Sequence, residues 1–300
     1  MSIEVNKLSK KYGPQLAVKD ISFKVKKGEI VGFLGPNGAG KSTTMKIMAG
    51  YIESSGGEVY IMGQKVDIDN LETRKHIGYL PENNPLYTEM YVREYLEFVG
   101  KIYKIKNLYA RVEEVIAAVG LDVEKHKKIS MLSKGYKQRV GLAQAIIHDP
   151  DVLILDEPTT GLDPNQIKEI RTLIRELGKE KTVILSTHIM QEVEAICNRI
   201  IIINKGELVA NKSAQELKET DVKETVYVEF EEQISKTQLA KIASDVKIMK
   251  VENGWLIESQ EERDLRKAIA KHAQQNNWLI LTLEVKNKSL EEVFQELTEK

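Results

Sequence analysis

Cysteine and long apolar segments are nearly absent from this chain, and both shortages limit what it can be. Cys197 is the single cysteine, so no internal disulfide can form, which favours a reducing compartment. No apolar run approaches the ~20 residues that span a bilayer, and the isoleucine run at 200–203 is far shorter. Residues 1–5 (MSIEV) lack the basic and then apolar pattern of a signal peptide. We therefore expect a cytoplasmic protein that would need the helices of another subunit to act at a membrane.

An excess of one charge sign is also missing. The 44 Lys and Arg residues nearly balance the 45 Asp and Glu residues, for a net charge of −1. Without a basic excess, the composition does not favour a nucleic-acid partner. The hydrophobic fraction of 42% over 300 residues is enough to form the core of one large or two modest domains.

The most informative feature that is present is the run GPNGAGKST at positions 35–43. It matches the phosphate-loop spacing G-x-x-x-x-G-K-[ST], in which glycines let backbone N–H groups face a phosphate. Ile30–Leu34 precedes it as a predicted strand and 43–49 follows as a predicted helix, so the phosphates would lie at a helix N-terminus. We predict that Lys41 reaches the β- and γ-phosphates and that Ser42 binds Mg²⁺. The predicted phosphate contacts are Gly35, Asn37, Gly38, Ala39, Gly40, Lys41, Ser42 and Thr43.

Polar residues follow two later buried segments. Val152–Leu155 leads into Asp156 and Glu157, and Val183–Leu185 leads towards His188. Asp156 is a candidate ligand for Mg²⁺, and Glu157 is a candidate to accept a proton from an attacking water or to orient it. His188 is a candidate hydrogen-bond partner of the γ-phosphate. The plain alternatives are an acidic helix start and an ordinary histidine, but the phosphate loop upstream favours the catalytic interpretation.

The apolar pattern predicts an α/β fold. Neither 152–155 nor 183–185 alternates with polar residues, which is typical of parallel strands covered on both faces, and a helix is predicted between them over Pro164–Leu177. Residues 21–25 do alternate, as in a half-buried strand of a hairpin. These patterns indicate a doubly wound core that follows antiparallel hairpins, with ligands at the carboxyl ends of its strands.

A helical subdomain is predicted at about 83–147, with apolar residues at helical spacing. Its first stripe is Tyr91, Tyr95, Phe98 and Ile102, and its second is Leu108, Val112, Val115, Ile116 and Val119. The first stripe has two interpretations. We favour the core of the subdomain for most of these side chains, and the alternative is a contact region for a membrane partner with a groove beside it.

The pattern changes after about Thr220, which divides the chain into domains 1–220 and 221–300. The predicted order in the second domain is βαββαβ, which matches a small ferredoxin-like α+β module. The predicted elements are strand Thr225–Phe230, helix Lys236–Ala243, strands Val246–Val251 and Trp255–Glu258, helix Glu262–Gln275, strand Trp278–Glu284 and helix Leu290–Leu297. No catalytic pattern falls there, so a packing or dimerisation role is favoured.

The segment LSKGYKQR at 132–139 lies about twenty residues before Asp156. Alone it is an ordinary helix capped by Ser133, with a basic first turn. In combination with the phosphate loop and the carboxylates, the chain resembles the ABC ATPase family over roughly residues 1–220. Segment 132–136 is similar to a variant of that family's L-S-G-G-Q signature.

The resemblance implies a homodimer that sandwiches two ATP molecules head to tail. Ser133 and Gly135 of one subunit would lie over the γ-phosphate that is bound by Lys41 of the other. The resemblance also implies that Tyr12 stacks on adenine, with a tyrosine in the hairpin core as the alternative. Asp163, in Gly161-Leu162-Asp163, would connect the two ATP sites.

Three positions depart from the family pattern. Glu82 stands where the family usually has a glutamine that touches Mg²⁺, and Lys134 and Tyr136 stand where it has Gly and Gln. Such variants, with an extra C-terminal domain, resemble exporters that pair with a separate type-2 permease. The string around Asp163 also resembles the ATP-binding subunit tied to bacterial gliding motility. The expected location is peripheral, on the cytoplasmic face of the plasma (inner) membrane.

Two alternatives remain open at this point. One is an ABC ATPase that transports nothing and acts on a cytoplasmic complex, although its relatives typically have two cassettes or a long coiled coil, and this chain has neither. The other is a GTPase, because residues 204–207 (NKGE) are close to a guanine-reading N-K-x-D. The same four residues also suit a plain hairpin turn.

Overall fold

The computed structural model describes residues 1–219, 225–242, 246–259, 265–286 and 289–298. The chain divides into two units, Met1–Ala214 with the chain end from Leu297, and Gln215–Glu296. The predicted domain limit at 220/221 lies outside the described residues, and the division falls a few residues earlier. Among the described residues, no helix has the length and apolar character that a membrane span requires.

The first unit contains ten strands and seven α-helices in its described residues, together with a 3-10 turn at Ile129–Met131. Its strands are β1 (Ile3–Tyr12), β2 (Gln15–Val25), β3 (Ile30–Leu34), β4 (Gly56–Ile61), β5 (Gln64–Lys65), β6 (Ile77–Leu80), β7 (Val152–Asp156), β8 (Thr182–Thr187), β9 (Arg199–Asn204) and β10 (Glu207–Ser213). Its helices are α1 (Lys41–Met48), α2 (Leu71–Arg74), α3 (Val92–Ile102), α4 (Leu108–Ala118), α5 (Lys134–Ile146), α6 (Pro164–Leu177) and α7 (Met190–Ile196).

The central sheet positions the predicted site. Its strand order is β10-β9-β3-β8-β7-β6, and all neighbours are parallel except β10 with β9. Strand β8 lies between β3 and β7, so the chain segments that leave these three strands start at one edge of the sheet. Side chains alternate along β7 between two cores: Leu153 and Leu155 pack with the helical side, and Ile154 packs towards β1, β2 and α1. This two-sided burial explains the unbroken apolar runs in the sequence.

The antiparallel sheet of the first unit has the strand order β2-β1-β4-β5. Along β2, Ile21, Phe23 and Val25 are buried, whereas Ser22 and Lys24 are exposed, as the alternation predicts.

In the helical subdomain, the second predicted apolar stripe is buried, but most of the first is not. Helix α4 buries Val112, Val115 and Ile116. The prediction for α3 is wrong on its core face: of the four residues in the first stripe, Tyr95 is buried, but the other three are exposed. The residues that α3 buries are Val92, Tyr95, Leu96, Val99 and Gly100. An aliphatic stripe at the same spacing therefore faces the core instead of the aromatic one.

The second unit has a four-stranded sheet in the order β12 (Val246–Lys250), β13 (Trp255–Ser259), β11 (Thr225–Phe230) and β14 (Ile280–Lys286), and every pair of neighbours is antiparallel. Val226, Val228, Ile257 and Ile269 are fully buried in its core. Its elements follow helix α8 (Ala214–Glu219) and are β11 (Thr225–Phe230), α9 (Lys236–Leu239), β12 (Val246–Lys250), β13 (Trp255–Ser259), α10 (Leu265–Gln275), β14 (Ile280–Lys286) and α11 (Leu290–Thr298). The predicted helix positions 243 and 262–264 lie outside the described residues.

Candidate phosphate-binding and hydrolytic site

The loop between β3 and α1 needs glycine for steric reasons. Gly40 caps α1 with φ of 107°, and a Cβ there would lie 2.6 Å from the carbonyl oxygen of Ala17. A Cβ on Gly35 would lie 2.3 Å from the carbonyl oxygen of Ile203. Since Gly40 has no side chain to cap the helix, the first N–H groups of α1 remain available for an anion. The geometry is that of a phosphate-binding loop.

The turn between β9 and β10 is hydrogen-bonded to this phosphate loop. Lys205 and Gly206 have positive φ and connect Asn204 to its strand partner Glu207. The N–H of Gly206 donates to the carbonyl of Ala39 over 3.0 Å. Asn204 is buried, and its amide donates to the carbonyl of Thr298. The NKGE segment is thus a hairpin turn, and its geometry gives no support to guanine recognition.

Lys41 is a buried cation at the start of α1. Its Nζ donates to the carbonyl of Gly35 at 2.7 Å, and it is 6% exposed. Burial lowers the pKa of Lys41, and the nearby carboxylates of Glu157, Asp156 and Glu82 oppose that shift. The amine therefore lies in a partly desolvated site where three carboxylates act on it.

Asp156, at the end of β7, is joined to the phosphate loop by a hydroxyl. Ser42 Oγ donates to Asp156 Oδ1 over 3.2 Å, and Ser186 Oγ donates to the same oxygen over 2.6 Å. Asp156 is 1% exposed, and its Oδ2 has no hydrogen-bond partner among the described residues. A buried carboxylate oxygen without a donor is costly unless a cation or a donor meets it.

Glu157 and His188 form a second polar pair beside Asp156. Glu157 has a positive φ of 50°, and its N–H donates to Ser186 Oγ at 2.9 Å. His188 Nδ1 lies 3.0 Å from Glu157 Oε2, and Thr160 Oγ1 donates to the same oxygen. An ionised carboxylate can only accept, so the Nδ1 atom carries the proton in this hydrogen bond.

Of these groups, Lys41, Ser42 and Glu157 line an open cleft of about 470 Å³. Tyr12, at the end of β1, is 49% exposed, and Lys10 Nζ lies 5.2 Å from the centre of its ring. Tyr12 is therefore not a hairpin core residue, and Glu82 is likewise exposed. The cleft is lined by Tyr12, Gln15, Ala17, Asn37, Gly38, Gly40, Lys41, Ser42, Thr43, Glu82 and Glu157.

The predicted signature residues are not among those that line this cleft. Ser133 caps α5, and its Oγ accepts from the N–H of Tyr136. Gly135 is pressed against α6, since an added Cβ would lie 2.6 Å from Gln166 Cδ. Asp163 caps α6 and accepts from the N–H groups of Asn165 and Gln166, each over 3.0 Å. The signature turn (residues 132–136) and the loop with Asp163, which was predicted to connect the two ATP sites, thus lie close together within one chain.

Ser186 is a site residue that the sequence-based reasoning missed. Its hydroxyl contacts both Asp156 and the backbone of Glu157. The sequence did contain a reason to consider Ser186, because it immediately precedes Thr187 and His188 at the end of a buried strand. What the sequence does not reveal is that β7 and β8 are neighbours, which brings the hydroxyl to the carboxylates.

Comparisons with known proteins agree with this geometry. The family model described as "ABC transporter" matches residues 18–160. The linearmycin resistance ATP-binding protein LnrL of Bacillus subtilis is 33% identical, with 99% of this chain and 98% of LnrL covered. The bacitracin transport ATP-binding protein BcrA of Bacillus licheniformis is 40% identical over 76% of this chain and 74% of BcrA. A solved dimer of the ATP-binding cassette MJ0796, bound to ADP and Pi, is 28% identical with a TM-score of 0.65, covering 70% of this chain and 98% of that chain.

The fold and the phosphate-loop cleft define a nucleotide-binding α/β ATPase. The chain belongs to the ATP-binding subunits of ABC transporters, and like them it is an ATPase.

Proposed function

We propose that this ATPase drives an exporter as one half of a homodimer, with a separate permease in the membrane. The observation that supports it best is a division of the site. Lys41 and Glu157 line one cleft, and Asp156 and His188 are hydrogen-bonded to its lining residues Ser42 and Glu157. The signature turn of the same chain is not part of that lining. A second copy that supplies its signature turn would complete the site. In this dimer Ser133 and Gly135 would cover the γ-phosphate that is bound by the Lys41 of the other subunit.

In the proposed mechanism, Glu157 activates the attacking water. Its carboxylate is 7% exposed and is fixed by Thr160 and His188, so it has a defined orientation towards the cleft. In its imidazolium form, His188 would donate from Nδ1 to Glu157 and from Nε2 to the γ-phosphate, whose oxygens can only accept. Tyr12 offers an exposed ring on which adenine stacks. The protein thus orients water and phosphate, which is the main contribution that an enzyme makes to phosphoryl transfer.

Ser42 and Asp156 fit a Mg²⁺ ion that would arrive with the triphosphate. Asp156 Oδ2 is buried without a hydrogen-bond partner in the described chain, and a hydroxyl beside a carboxylate is a suitable donor set for a hard cation. When bound, the ion would neutralise phosphate charge. The described residues contain no cluster of three acidic, histidine or cysteine ligands. Phosphate oxygens and water would supply the remaining ligands. Glu82, on the rim of the cleft, would add a further carboxylate near it.

The exporter assignment is supported by relatives that are named for bacitracin transport and for linearmycin resistance. Similarity to LnrL extends over the second unit as well as the first. We propose that the second unit is a ferredoxin-like accessory domain, since its sheet order, with the strands numbered within the unit, is 2-3-1-4. The link to gliding motility remains a sequence-based prediction. Peripheral association with the cytoplasmic face of the membrane follows from the proposed permease partner.

The substitution Glu157→Gln tests the dimer. It keeps the size of the side chain and removes the base, so ATP binding should persist while kcat falls at least about a hundredfold. Bound ATP should then hold two copies together, and size-exclusion chromatography with light scattering should detect a dimer in Mg-ATP but not in ADP. Ser133→Arg in the Glu157→Gln background is the matched control, since it should prevent the dimer and leave ATP binding intact.

The proposal would be contradicted if Glu157→Gln stayed monomeric in saturating Mg-ATP with the permease supplied. Co-purification of the chain with a multi-spanning membrane protein tests the transport role separately. Recovery with a cytoplasmic complex instead would indicate the non-transport alternative.

A further inference from the structure

Glu192 is a buried carboxylate that the proposed mechanism does not use. It lies in the first turn of α7 and is 1% exposed. One oxygen, Oε2, accepts from Thr187 Oγ1 over 2.9 Å. The other, Oε1, lies 3.8 Å from Nη2 of Arg171 and has no hydrogen-bond partner among the described residues. Burial of a charge at such a site is unfavourable unless its partners compensate, so the arrangement needs an explanation.

Its contact with Thr187 fixes the backbone around the proposed γ-phosphate ligand. The Thr187 hydroxyl donates to Glu192 and accepts from the N–H of Ile189 over 3.1 Å. His188 lies between Thr187 and Ile189, so the bond from the Ile189 N–H to the Thr187 hydroxyl closes a turn around it. The imidazole itself is 55% exposed, so packing alone does little to hold it in place. The ring is thus held by its own hydrogen bond to Glu157 and by the backbone turn that the Thr187 hydroxyl fixes.

The ion pair of Glu192 with Arg171 connects it to helix α6. Arg171 is on α6, the helix that Asp163 caps and against which Gly135 packs. Arg171 Nε is also buried without a hydrogen-bond partner in the described residues. Glu192 thus connects the histidine loop with the helix that supports the signature turn.

We infer that Glu192 is a positioning residue, which holds His188 towards the γ-phosphate through Thr187 and ties it to α6 through Arg171. The inference rests on the role proposed above for His188. Glu192 does not touch the reacting atoms, and its effect is on the fraction of molecules in which His188 is correctly placed. A loss of this placement should lower kcat and leave the KM for ATP nearly unchanged.

A double-mutant cycle on the full-length chain tests the inference. Glu192→Gln keeps the acceptor for Thr187 but loses the charge that faces Arg171, and we expect kcat to fall about tenfold with KM within about twofold. In a His188→Ala background the same substitution should change kcat less than about twofold, because there is no ring left to position. Glu194→Gln, on an exposed position of the same helix, is the control and should keep wild-type kcat.

The outcomes distinguish the role of Glu192 from the role of His188. An equal tenfold loss in both backgrounds, or wild-type kcat for Glu192→Gln, would overturn the positioning role. A His188→Ala variant with wild-type kcat would overturn the role of the histidine itself. If Glu192→Gln does not fold, Thr187→Val removes the hydroxyl that donates to Glu192, and non-additivity with His188→Ala then decides whether Glu192 positions the ring through Thr187.

Discussion

At the scale of single residues, His148 makes the stability of the protein depend on pH. Its ring stacks on Tyr103 with 3.9 Å between ring centres, and its Nε2 donates to the carbonyl of Ile77. Burial lowers the pKa of His148 to about 4. Its Nδ1 is buried and has no hydrogen-bond partner among the described residues, so a proton there would create an unpaired charge.

We predict that His148→Gln flattens the acid limb of the stability curve. As pH falls, the unfolded histidine takes its proton near pH ~6.5 and the folded one only near about 4. Stability is therefore fully present above the unfolded pKa and is lost through that window. Between about pH 7.5 and 5, the wild type should lose about 2 kcal/mol more than the variant. Urea denaturation followed by circular dichroism measures this difference. The exposed His126→Gln variant should follow the wild type, and parallel curves for His148→Gln would contradict the prediction.

The site residues differ in how far the sequence could reveal them. Lys41, Asp156 and His188 each follow a buried strand, and parallel strands bring such positions to one edge, so their proximity was predictable. The contact between Gly206 and Ala39 was not, because it joins residues far apart in the chain through the order of strands in the sheet. Spacing within a motif reports local geometry, but partners across the sheet depend on tertiary structure.

At the scale of elements, helix α3 shows that apolar periodicity can predict a helix without predicting which of its faces is buried. Tyr91, Tyr95 and Phe98 have the same helical spacing as Val92, Leu96 and Val99, so periodicity alone allows either face to be buried. The aliphatic face is buried because α4 comes very close: a Cβ on Gly100 would lie 2.2 Å from Leu108 Cδ1. A helix pair that packs through glycine has little room for tyrosine rings. The close approach at Gly100 therefore favours small and aliphatic residues on the face towards α4.

The contact between α5 and α6 gives a prediction at the same scale. Gly135→Ala should lower the free energy of unfolding by at most about 1 kcal/mol, because its Cβ would meet the Gln166 amide group, which is the end of a flexible side chain and can move aside. It should also lower ATPase activity, since Gly135 is a proposed signature residue. Shortening Gln166 to Ala removes that amide group, so the double variant should regain the stability that Gly135→Ala loses in urea denaturation. If Gln166→Ala gives no rescue, the contact is not what requires glycine at position 135.

At the scale of the whole molecule, the two units have separate cores, and this gives a test of the proposed accessory domain. Ile257 is fully buried in the second unit, so Ile257→Ala should cost about 2–4 kcal/mol there. Both tryptophans, Trp255 and Trp278, belong to this unit, and their fluorescence reports its unfolding. The ATPase rate should stay at the wild-type value below the new transition. A parallel loss of ATPase activity would mean that the cleft depends on the second core.

The proposed permease contact gives the last prediction. The ring of Tyr87 is 59% exposed and packs edge-on against Tyr95 and Phe98, so an aromatic patch is left on the surface of the helical subdomain. An exposed patch of this kind is typical of a protein–protein contact. Tyr87→Glu introduces a charge at the patch without changing the nucleotide cleft. We therefore expect transport by the assembled complex to fall at least about tenfold while the ATPase rate of the isolated subunit stays unchanged.

The matched control is Val123→Glu, which adds the same charge at a residue that is 83% exposed elsewhere in the subdomain. It should leave both rates at wild-type values. Transport into vesicles and ATP hydrolysis are measured on the same preparations, with co-purification of the permease as a third readout. Loss of ATPase activity and of thermal stability in Tyr87→Glu would assign Tyr87 to folding, since it also touches the core residue Tyr95. Unchanged transport would instead remove the patch from the permease interface, because a buried charge at a true contact cannot be neutral.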